Sequence, residues 1–121
     1  MTKQTQKDDT LAESPVAAID DRPKFSGKLR LPGGLRVRIR RMQPEQIFVQ
    51  LGHFKAAGID PALIVVAGRK RLELQRMCQR CLVDDRNRLA FPGVKGLQQL
   101  TMFTDSQLAE IARQVVAFQE F

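Results

Sequence analysis

At 121 residues, with 43% hydrophobic and 27% charged side chains, the chain has the length and balance of one globular folding unit and is not disordered throughout. Seven Phe and no Trp or Tyr leave an aliphatic core with Phe as its only large ring. The net charge of +7 favours an acidic or polyanionic partner, the opening Met1–Gln6 lacks the apolar run of a secretory signal, and no stretch approaches a membrane span of roughly 18 apolar residues.

Residues 1–24 hold few large apolar side chains, two prolines, and four basic against five acidic groups, so they bury too little surface to offset the entropy of ordering. We expect a flexible polar tail over 1–24, followed by a single domain over 25–121 that carries a net +8. From Lys28 the pattern alternates, with Leu29, Leu31, Leu35, Val37 and Ile39 between Lys28, Arg30, Arg36, Arg38 and Arg40. Pro32-Gly33-Gly34 lies at the centre of this run, and period-two alternation about such a turn predicts a β-hairpin with one aliphatic and one arginine face.

Helical signals follow. Gln43-Pro44-Glu45 suits a helix start, and Ile47, Phe48 and Leu51 give its apolar stripe up to Gly52. Asp60-Pro61 suits a second start, from which Leu63, Val66, Ala67, Leu74, Met77, Cys78 and Cys81 recur at helical spacing to about Val83, interrupted by Gly68-Arg69-Lys70-Arg71, so that the segment reads either as one helix or as two shorter ones meeting at Gly68. Residues 84–103 are punctuated by turn signals and predict a loop with a short helix near Leu97 to Leu100. Thr104-Asp105-Ser106-Gln107 has the form of a capping box, before a helix with Leu108, Ile111, Ala112, Val115 and Phe118 on one face. With helical periodicity after the hairpin and no later strand, the pattern predicts an α+β fold: an N-terminal hairpin packed on a small bundle of three or four helices.

No catalytic constellation stands out. Cys78-x-x-Cys81 is by spacing half of a zinc or redox motif, but His53 is the sole His, and both thiols fall on the apolar stripe of a helix, where free Cys packs as a small hydrophobe. His53 follows Gly52 and has no Ser, Cys or Asp partner, which suits a helix-end or surface role over a general base. Asp8-Asp9, Asp20-Asp21 and Asp84-Asp85 are adjacent pairs without the spaced ligands of a calcium loop. Leu31-Pro32-Gly33-Gly34 and Phe91-Pro92-Gly93-Val94-Lys95-Gly96 match no phosphate-binding loop and suit turns. We therefore expect a cytoplasmic binding protein with no enzymatic activity, metal or cofactor. The rival reading is a small nucleic-acid-binding module in which Arg36, Arg38 and Arg40 on the hairpin, with Arg69, Lys70 and Arg71 on the long helix, contact phosphates.

The order of elements resembles the tail assembly chaperones of long-tailed bacteriophages. The matching stretches are Lys28-Leu-Arg-Leu-Pro-Gly-Gly-Leu-Arg-Val-Arg-Ile-Arg40, Ala57-Gly-Ile-Asp-Pro-Ala-Leu63, Arg80-Cys-Leu-Val-Asp-Asp85 and Phe103-Thr-Asp-Ser-Gln-Leu108, which together organise about 24–121. The resemblance implies binding of the long, hydrophobic tape measure protein in the cytoplasm of the infected host or lysogen, absence from the finished virion, and members made in two lengths by ribosomal frameshifting. Other tail proteins and self-association remain open as partners, and no membrane is implicated. An amphipathic helix with surplus apolar surface could cover client helices, and Ile47, Phe48, Phe118 and Phe121 are the candidate contacts.

Overall fold

Four helices and a three-stranded antiparallel sheet make up residues 22–121, the part of the chain that the computed structural model describes. Strands β1 (Leu29–Arg30) and β2 (Arg36–Ile39) form the expected hairpin, with Leu29 opposite Val37 and Arg30 opposite Arg36. Gly33 and Gly34 both take positive φ in its turn, where a side chain would be strained. Leu31, Val37 and Ile39 are buried, as the alternation predicts, but Leu35 is exposed because it falls in the reversal rather than on the strand.

Most of the supposed tail, residues 1–21, lies outside the described residues. Its last part is tied to the sheet. Arg41 donates its backbone N–H to Lys24 O at 2.7 Å and its Nε to Pro23 O at 2.8 Å, while Phe25 bridges to Arg40.

Helix α1 spans Pro44–Ala57 and begins as expected, with Gln46 Oε1 accepting the Gln43 N–H at 3.0 Å. It runs through Gly52 and ends at Gly58, whose φ of 73° allows Ile59 N–H to reach Phe54 O at 2.8 Å in a Schellman-type close. His53 is therefore inside the helix and not at its end.

The second expected helix does not begin at Asp60. Asp60 accepts from Ala62 N–H through Oδ1 at 2.9 Å and from Leu63 N–H through its carbonyl at 3.0 Å, closing a local turn. β-Branched Ile64, Val65 and Val66 then continue without helix, and Gly68 turns the chain at φ 52°. Helix α2 occupies Arg69–Cys81 alone, and Leu63, placed on its stripe by spacing, is exposed.

After α2 the chain forms a strand that the helical periodicity concealed: β3 (Leu82–Val83) pairs with β2, Arg38 opposite Val83 and Ile39 opposite Leu82. The sheet order is β1-β2-β3. Asp84 Oδ1 accepts from the backbone of Arg86 at 2.8 Å and of Arg88 at 3.0 Å, and these two bonds hold its carboxyl below the usual range. Helix α3 (Gly93–Leu100) starts four residues earlier than expected, and α4 (Asp105–Gln119) starts where the capping box puts it. Gln107 N–H reaches Thr104 Oγ1 at 3.1 Å, and Gln107 Oε1 accepts the Thr104 N–H at 2.9 Å.

Helix α2 is central and touches α1, α3 and α4. Its Leu74, Met77, Cys78 and Cys81 meet Leu108, Ile111, Ala112 and Val115 of α4 in a core closed by Val37, Ile39, Leu82 and Leu100. Gln119, fully buried, links the sheet to α4: its Oε1 accepts Met42 N–H at 2.8 Å and its Nε2 donates to Arg40 O at 2.7 Å.

Candidate functional site

Helix α1 carries only Glu45 and Lys55 as charged side chains, and its apolar residues do not keep to one face. Here Gln50 and Phe54 are buried and Ile47 and Leu51 half-buried, while Phe48 and Val49 are 77% and 56% exposed. Val49 joins two concavities. On one side, Phe48, Val49, Leu51, Gly52 and Lys55 make a shallow, almost wholly apolar shelf. On the other, Met42, Gln46, Val49, Gln50 and His53, with Arg40, Glu45 and Arg80, line a cleft of about 250 Å³.

The polar wall of the cleft is organised around Glu73 of α2. Its Oε2 accepts from Gln50 Nε2 at 3.0 Å and lies 3.3 Å from Arg80 Nη2 and 3.8 Å from His53 Nδ1. Arg80 also donates to Gln50 Oε1, and its backbone carbonyl accepts Arg40 Nη2 at 2.6 Å. Arg40 Nε and Arg38 Nε are buried without a hydrogen-bond acceptor among the described residues. Along α2, Arg69, Leu72 and Arg76 are exposed and lead at helical spacing to half-exposed Arg80, which lines the cleft with Val49.

The four apolar candidates separate. Phe48 projects outward, whereas Ile47 packs against the core, Phe121 meets Phe54 edge-on with centroids 5.8 Å apart, and Phe118 lies beneath Arg41. The six basic candidates do not form one face either. Arg36 is exposed opposite Arg30, Arg38 is half-buried, and Arg40 is engaged with Arg80. On α2, Arg69 is exposed and Lys70 half-buried, but Arg71 binds Asp105 and donates to Phe103 O at 2.5 Å. Val49, missing from the sequence candidates, was signalled by an apolar residue lying off the Ile47/Leu51 stripe.

Cys78 and Cys81 are both buried. Burial pushes the Cys78 thiol far up, with Cys81 beside it adding to the effect; burial also pushes Cys81 up to about 11 against the opposing pull of Arg80 and Arg40. Among the described residues, no group of three or more His, Cys, Asp or Glu could hold a metal ion, and no helix is long and apolar enough to cross a membrane. Comparison with protein-family models, curated proteins and solved structures finds no match.

Proposed function

We propose that the protein is a client-binding chaperone that covers apolar helical segments of a partner along the outward face of α1. The observation that carries this reading is the exposed Phe48–Val49 pair on a helix whose apolar residues do not keep to one face. An exposed aromatic beside a concave apolar shelf has the form of an interface anchor, with Phe48 as the side chain a partner would enclose. The resemblance to phage tail assembly chaperones supplies the proposed client, the tape measure protein, and with it a role in the host cytoplasm before the tail is complete. No enzymatic step, metal or cofactor enters this reading.

Co-expression with the long, helix-rich product of a neighbouring phage gene tests it. The client should stay soluble and co-purify, and Phe48→Ser should release it while leaving the protein folded. Co-expression that changes neither partner's solubility would sink the proposal.

One observation favours the nucleic-acid reading. Arg30 and Arg36 stand directly opposite each other on the ribbon, a like-charge pair that costs stability without an anion nearby. Binding of duplex DNA at physiological salt that falls steeply with ionic strength and disappears in Arg30→Ser/Arg36→Ser would establish that alternative.

A further inference from the structure

We infer that the α1 shelf and cleft receive an amphipathic helix whose apolar stripe is bordered along one edge by carboxylates, with those carboxylates set against Arg76 and Arg80 of α2. The inference rests on the client-binding reading and names the chemistry of the client segment.

The apolar half of the argument comes from α1. Phe48 and Gly52 are one turn apart, and a side chain at Gly52 would meet nothing within 4 Å, so the helix surface has a notch behind the Phe48 ring. A knob beside a notch is what a second helix packs into, with its own ridge filling the gap. Val49 continues the apolar floor into the cleft beside Met42.

The edge charge comes from α2. Its outward stripe repeats Arg69, Leu72, Arg76 and Arg80, and its single carboxylate, Glu73, is already taken by Gln50 and Arg80. Glu45 is the one carboxylate that lines the cleft, along with Arg40 and Arg80, and exposed Arg76 precedes Arg80 by one turn of α2. Arg80 binds Glu73 and Gln50 through Nη2 alone, and its side chain is 42% exposed, which leaves the rest of the guanidinium fork for an incoming acceptor. Arg76 and Arg80 are four residues apart, the spacing at which a facing helix presents two carboxylates on one edge. The shelf disfavours nucleic acid as occupant, because a phosphate backbone offers nothing apolar to cover Phe48 and Val49.

The test uses the full chain and two synthetic helical peptides of about 20 residues, long enough to hold helix. Both carry the same Leu/Ala stripe, flanked on one edge by Glu in the first and by Lys in the second. The Glu-edged peptide should bind about tenfold more tightly at low salt, with the advantage shrinking as salt is raised. Arg76→Glu should abolish that advantage without lowering the unfolding temperature, and Val49→Asp should weaken both peptides. Equal affinity for the two peptides overturns the inference and leaves the client-binding reading standing. Failure of both to bind overturns that reading as well. Displacement of the Glu-edged peptide by duplex DNA, dependent on Arg76, also overturns the inference and assigns the stripe to nucleic acid.

Discussion

The Arg41 guanidinium lies 4.3 Å from the centre of the Phe118 ring and donates Nη1 to the Phe118 carbonyl at 2.8 Å. The chain just past β2 is thereby fastened to the end of α4, and Arg41, which follows Arg40 in phase with buried Val37 and Ile39, is a sealed structural group with only 8% of its side chain exposed. Glu120, its ion-pair partner at 3.3 Å, is 55% exposed, so water screens that pair and the ring and carbonyl contacts dominate.

Arg41→Ala should therefore lower stability by about 2–3 kcal/mol in denaturant unfolding, the sum of a cation–π contact and a charged hydrogen bond. Arg41→Lys should recover only part of this because it loses the planar fork. Glu120→Gly should be neutral or slightly stabilising, since Glu120 sits at φ 56° and its ion pair is screened.

The hairpin, the α1 start and the α4 capping box were legible because each depends on neighbours in sequence: Pro32-Gly33-Gly34, Pro44-Glu45 and Thr104 with Gln107. The failures depend on groups distant in sequence or on competition between local structures. Leu63 and Val66 satisfy helical spacing, yet the Asp60 turn and the β-branched run hold 60–68 out of helix. Leu82–Val83 suits a helix end as well as a strand, and its pairing with Arg38–Ile39 decided the outcome. The cleft was illegible for the same reason. Gln50, Glu73 and Arg80 become a unit only when α1 packs on α2, whereas the outward placement of Phe48 beside Val49 was partly visible in an apolar stripe too wide for one helix face.

Gly96 is fixed by close approach. A Cβ there would stand 2.0 Å from the Phe91 carbonyl carbon, and a backbone atom cannot swing aside as a side-chain tip can. Gly96→Ala should destabilise by at least about 1–3 kcal/mol, measured as a lowered unfolding midpoint. Ala at exposed Gly52, where a side chain meets nothing within 4 Å, should be neutral or stabilising in the same assay.

The two thiols predict an alkaline limit. Cys81 is raised from 9.0 to about 11 and Cys78 is raised further, so the folded state holds protons that the unfolded chain has begun to release above pH 9. Their contribution is fully present below pH 9 and is lost as pH rises through 9–11 and beyond. Urea midpoints should stay flat on this account up to pH 8.5 and then fall, and Cys78→Ala/Cys81→Ala should flatten the alkaline limb at some cost to packing. A thiol reagent at pH 8 should label neither cysteine faster than the protein opens.

The two aromatic ends of the candidate surface should respond differently. Phe48→Ser and Val49→Asp should leave the unfolding temperature within a few degrees of the parent, because both side chains project outward. Phe121→Ser should lower it, since that ring packs edge-on against buried Phe54. Client solubilisation measured alongside separates a lost surface from a lost fold.

Gln119 gives the chain an order of assembly. Its side-chain amide stands in for a peptide group, meeting Arg40 and Met42 across 79 and 77 positions of sequence. The corner between β2 and α1 therefore lacks two of its hydrogen bonds until Gln119 has been added to the chain. Up to that moment α1 has α2 to pack on, while Phe54 still lacks the edge-on Phe121 ring. The growing polypeptide thus leaves one side of the Phe54 ring without its aromatic neighbour, and the residues at and just past the end of α4 are what close it.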